Sequence, residues 1–167
     1  MLAIDAIRTR VIGALASMNP TEAGGIVSAD APPSFAAYRE FLRGEEEFSR
    51  GAFEQSIVHD RNALALDSNY LAPMVRMVYA HFNLQQCAQA ESLGRVLRAR
   101  RDKLPAYEGF YLDRGLAWCA GDVNAAYRAA KQMLAVSPHA SYAKYIAARS
   151  AYLMNRPLEA VEGLERL

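Results

Sequence analysis

The feature that most limits what this chain can fold into is a short turn recurring four times at nearly constant spacing. Gly51-Ala52-Phe53 is followed by Ser56 and Ala63, and Gln85-Gln86-Cys87 by Ala90 and Leu97. Gly121-Asp122-Val123 is followed by Ala126 and Met133, and Asn155-Arg156-Pro157 by Ala160 and Leu167. The turns start at 51, 85, 121 and 155, so the steps are 34, 36 and 34 residues. A common register at such a period outweighs any single motif, because each unit is one supersecondary element that cannot bury its apolar face alone. From Phe35 onward apolar residues recur at spacings of three and four, and no stretch alternates strictly enough to read as a strand. The units are therefore helix pairs. Helices are predicted at 35–50, 53–67, 70–84, 87–102, 105–120, 123–137, 140–154 and 157–167.

Small residues mark where the two helices of a unit approach. Ser56, Ala90, Ala126 and Ala160 share one place in the repeat, and a large side chain there would force the helices apart. Gly44 and Gly115 offer the same service on first helices. The two extra residues of the middle step fall around Arg101-Asp102-Lys103-Leu104-Pro105, since a connecting loop is the cheapest place for an insertion.

Ahead of the repeats, residues 1–18 carry Leu2, Ile4, Ile7, Val11, Ile12 and Leu15, interrupted by Asp5, Arg8 and Arg10. The pattern reads as an amphipathic helix and is too charged for a signal-peptide core. Residues 19–34 gather Pro20, Gly24, Gly25, Pro32 and Pro33 among small polar residues, the composition of a linker. Ser34, placed after two prolines, is a helix N-cap.

Charge and composition exclude several classes. Nineteen basic against eighteen acidic side chains leave +1, so no global field draws in nucleic acid or an anionic membrane. No apolar run approaches the roughly 18 residues of a membrane span. Cys87 and Cys119 are too few and too far apart for a disulfide framework or a CxxC metal site, read as small buried hydrophobes, and decide no compartment. His59, His81 and His139 stand at unrelated places, with no HExxH, phosphate loop or nucleophile elbow. No catalysis, metal or cofactor is expected. The basic run Arg95, Arg98, Arg100, Arg101 and Lys103 closes a second helix, where the dipole favours cations, and Glu45-Glu46-Glu47 reads as a solvated face.

Residues 35–167 resemble four tetratricopeptide repeats, at about 35–68, 69–104, 105–138 and 139–167, the last cut short in its second helix. The segment GAFEQSIVHDRNALALDS at 51–68 is most similar to the family's second-helix pattern, and Pro138 takes the family's usual proline place in the third unit, where Ser68 stands in the first. The resemblance implies an all-α right-handed superhelical stack, with the N-terminal helix as a cap or tether. The aromatic pairs Phe41/Phe48, Val75/Phe82, Tyr111/Trp118 and Tyr145/Tyr152 keep the family's spacing of seven. Their second members, however, stand three residues before the turn instead of four, so the turn is one residue short. Phe41, Phe48, Phe82, Trp118 and Tyr152 are accordingly read as either interhelical packing or groove lining.

The resemblance also implies a non-catalytic scaffold that binds a protein or peptide in a concave groove lined by first helices. Tyr38, Glu45, Tyr79, Asn83, Tyr111, Tyr142, Tyr145 and Arg149 are the groove candidates. The lysine and asparagine clamp that some members use on a partner's C-terminal carboxylate is absent. Two alternatives stay open. One is self-association through apolar ends, because Val161, Leu164 and Leu167 lack a following helix to cover them and the chain reads as a fragment. The other is a small-ligand sensor with a ring-lined pocket. The combination of elements is also loosely similar to the C-terminal repeat region of larger bacterial signalling proteins.

Overall fold

The computed structural model describes Ile7, Val11, residues 33–165 and Leu167. The amphipathic segment and linker predicted over 1–34 lie mostly outside these residues, although Ile7 and Val11 are both helical. The described residues hold eight α-helices and no strand: α1 (Phe35–Ser49), α2 (Phe53–Leu66), α3 (Ala72–Asn83), α4 (Cys87–Arg98), α5 (Ala106–Cys119), α6 (Val123–Val136), α7 (Ser141–Leu153) and α8 (Pro157–Leu164). The fold is all-α, with neighbouring helices packed in succession. Two compact units divide it, the first running through Pro105 and the second from Ala106 to Leu167. In the first, α1 packs on α2, α2 on α3 and α3 on α4; in the second, α5 packs on α6, α6 on α7 and α7 on α8.

The four turns are one backbone device repeated. Gly51, Gln85, Gly121 and Asn155 have φ of +79°, +59°, +73° and +56°, and they are the described residues with left-handed backbone. In each turn the N–H of the left-handed residue donates to the carbonyl three residues back, on Phe48, Phe82, Trp118 or Tyr152. The next N–H reaches five residues back, from Ala52 to Glu47, Gln86 to His81, Asp122 to Ala117 and Arg156 to Ala151, at 2.8–3.0 Å. This is the Schellman closure, which satisfies the free carbonyls of a helix end and turns the chain back at once. It gives physical meaning to the short turn: the second member of each aromatic pair sits where its own carbonyl receives the turn residue.

Helix starts follow local chemistry. Ser34 Oγ accepts from Ala37 N–H at 3.2 Å, as a cap should, and Ser34 N–H donates to Asp67 Oδ2 at 3.1 Å. Asp122 Oδ1 accepts from Ala125 N–H at 2.8 Å at the start of α6. Pro73 and Pro157 occupy first turns, where a missing N–H costs nothing. The insertion of the middle step is a 3₁₀ turn at Arg101–Lys103, and α4 stops at Arg98, four residues before its predicted end.

The small residues sit where expected: Ser56, Ala90, Ala126 and Ala160 are all buried. Around them the first unit buries Phe41, Ile57, Tyr70, Val75, Val78 and Leu97, and the second Leu112, Leu116, Ala130, Met133, Ile146 and Ala151. Each hairpin is thus held by burial of aliphatic side chains about an alanine-sized contact.

Candidate functional site

In the second unit, Tyr142, Tyr145 and Arg149 follow one another at spacings of three and four on α7, so they share one side of the helix. All three are exposed. Tyr142 is held from behind by Tyr111 of α5, which is buried: the rings meet edge to face with centroids 5.8 Å apart, and their hydroxyls lie 3.4 Å apart. Tyr145 lies beside Tyr142, its ring centroid 6.4 Å away. The result is a strip of two anchored, flat rings with phenolic hydroxyls that donate or accept, ending in a guanidinium. Such a strip can meet an extended main chain and one acidic group.

The candidates of the first unit have a different setting. Tyr38 is half-buried against Ala37, Phe41 and Tyr70. Tyr79 is buried, its ring meeting Phe82 edge to face at 6.2 Å. Asn83 is exposed and folds back, its amide donating to Tyr79 O at 2.8 Å. Glu45 is committed to Arg76 of α3, whose Nη2 donates to Glu45 Oε2 at 2.5 Å while the guanidinium lies 4.6 Å from the centre of the Phe48 ring. The remaining rings divide between core and surface: Phe41 is buried, Phe48, Phe82 and Trp118 are half-buried, and Tyr152 is exposed.

Beside the Glu45–Arg76 pair lies a group that sequence reasoning missed. Asp60 on α2 is fully buried, and Ser56 Oγ donates to its Oδ2 at 3.4 Å. Gly44 leaves room for it, since a Cβ at residue 44 would stand 2.9 Å from Asp60 Oδ1. Burial, then the neighbouring Glu45, push Asp60 up to about 8, against the opposing pull of Arg76 and Ser56. Glu45 is also raised by burial, with Arg76 opposing. Two carboxylates and one guanidinium make a nearly neutral network once one proton is retained. Ser56 and Asp60, polar residues four apart on the face that also carries Ile57 and Ala63, were the available signal.

The histidines are engaged locally: His59 Nδ1 lies 3.0 Å from Glu40 Oε2, and His81 Nδ1 lies 2.7 Å from Gln86 Oε1. Cys87 and Cys119, expected to be buried, are each half-buried, and neither is a free thiol. In the second unit Glu108 is buried, which pushes its carboxyl up to about 7. Glu159 of α8 bridges to α6, accepting from Tyr127 Oη at 2.8 Å and from Lys131 Nζ at 2.7 Å. Below that bridge a cavity of about 270 Å³ opens among Lys131, Leu134, Lys144, Ala147, Glu162 and Gly163, and no ring lines it. Among the described residues no helix is long and apolar enough to cross a membrane.

No protein-family model matches the sequence, and no curated protein matches it.

Proposed function

We propose that the chain is a tetratricopeptide-type repeat module that acts by holding a segment of another protein, with the Tyr142–Tyr145–Arg149 strip of α7 as the surface that meets it. The repeat of 34, 36 and 34 residues and its uniform hairpin turns support the family assignment. The observation that carries the binding surface is the exposed tyrosine pair fixed from behind by Tyr111. Rings already held in place lose little rotamer freedom on contact, and tyrosine and arginine supply most binding hot spots. The residues around the strip point to recognition and not to chemistry, since it contains no general base and no nucleophile with an activating partner.

The test is selection of peptides from a random displayed library on the purified protein, followed by titration against Tyr145→Ala and Arg149→Ala. Both side chains are exposed, so the variants keep the fold. Selected peptides should bind Tyr145→Ala about tenfold or more weakly. Failure to select any peptide, or equal affinity for wild type and both variants, would remove this reading.

A further inference from the structure

We infer that the apolar side of α8 is a docking surface for the amphipathic segment 1–18 of a second copy of this chain. Counting from the turn residue, Leu164 occupies the ninth place, held in the preceding units by Asp60, Gly94 and Ala130. All three of those are buried, whereas Leu164 is exposed. Val161, at the sixth place, is 53% exposed, whereas its first-unit counterpart Ile57 is buried against Met77 and Ala80. At the third place the other units carry Glu54, Ala88 and Asn124, while α8 carries Leu158, which is 80% exposed. Leu158, Val161 and Leu164 are spaced by three and cover one side of α8, opposite the Ala160 and Gly163 contact with α7. The helix therefore presents an apolar side that no described residue covers, at positions where the repeat otherwise buries its core.

The occupant follows from a second open face. Ile7 and Val11 are helical, four residues apart, and 63% and 51% exposed. With Ile4 and Leu15 they make an apolar stripe at helical spacing. Charge favours the match: Arg8 and Arg10 accompany this stripe, and exposed Glu162 and Glu165 accompany that of α8. Pairing α8 with α8 would instead set like carboxylates together. Within one chain both faces stand open at once, so the segment of one copy does not cover the α8 of that same copy. Two copies exchanging segments satisfy both faces twice over, the closed arrangement that symmetric dimers favour.

Light scattering after size exclusion, over a wide concentration range, reads the association directly. Wild type should rise from 18.4 kDa toward twice that mass. Ile7→Glu/Val11→Glu and Leu158→Glu/Val161→Glu should each remain monomeric with unchanged helicity by circular dichroism, because all four side chains are exposed. Mixed together, the two monomeric variants should form a heterodimer, since one keeps an intact α8 and the other an intact segment. A wild type that stays monomeric overturns the inference. A dimer that survives in either variant overturns it too, and so does a mixture in which the variants ignore each other.

Discussion

Replacing Asp60 with Asn should stabilise the protein in a way that grows with pH. The side chain is fully buried on α2, and the charges acting on it are Glu45, which opposes ionisation, and Arg76, which favours it. Its pKa rises from 3.8 to about 8, with desolvation as the largest cause. Between those values the unfolded chain has released the proton and the folded chain has kept it. The stability contributed by the protonated carboxyl is therefore complete below pH 3.8 and is lost as pH rises through about 8. One retained proton gives a slope of about 1.4 kcal/mol per pH unit, so wild type should lose about 3 kcal/mol between pH 5 and pH 7 relative to Asp60→Asn, which cannot ionise. Urea unfolding followed by circular dichroism at a series of pH values measures this. Glu108, raised to about 7, tilts both proteins in the same direction and drops out of the difference. Parallel profiles for the two proteins would refute the reasoning, because they would mean that Asp60 folds already ionised.

Two further outcomes rest on backbone and packing. Gln85→Gly should raise stability by about 0.5–1 kcal/mol, because it relieves a left-handed glutamine at φ +59°; Asn155→Gly should gain less, since asparagine tolerates that conformation. Thermal melting should show about 1–4 °C for the former, and a loss of stability would contradict the turn geometry. Gly163→Ala should destabilise by about 1 kcal/mol net, because the added Cβ would stand 2.9 Å from Ala148 Cβ, a strain that outweighs the gain in helix propensity. A higher melting temperature would show that α7 and α8 yield there.

Much of the architecture was legible because it depends on spacing. The turns at 51, 85, 121 and 155 are where the backbone turns left-handed, although only Gly51 and Gly121 advertise it chemically. Gln85 and Asn155 were found through the period alone. The insertion fell at Arg101–Lys103, as loop economy required. Side-chain facing was harder to read. Tyr79 and Tyr142 occupy comparable places on first helices, yet the former is buried and the latter exposed. The difference comes from what packs over each helix, which helical periodicity does not encode. The Glu45–Asp60–Arg76 network was hidden for a related reason: its members are 15 and 16 residues apart on three helices, and Glu45 sits in a run that looks solvated.

The repeated left-handed closure also governs how the chain finds its fold. Each hairpin is sealed by two main-chain hydrogen bonds that span three and five residues, so the entropy of closing it is small and is met before any distant contact forms. Folding can therefore begin at any of the four turns and spread outward to adjoining helices, in the manner of a one-dimensional chain of coupled elements. Amide exchange should register this as protection that rises and falls hairpin by hairpin, with α8, covered on one side alone, opening first.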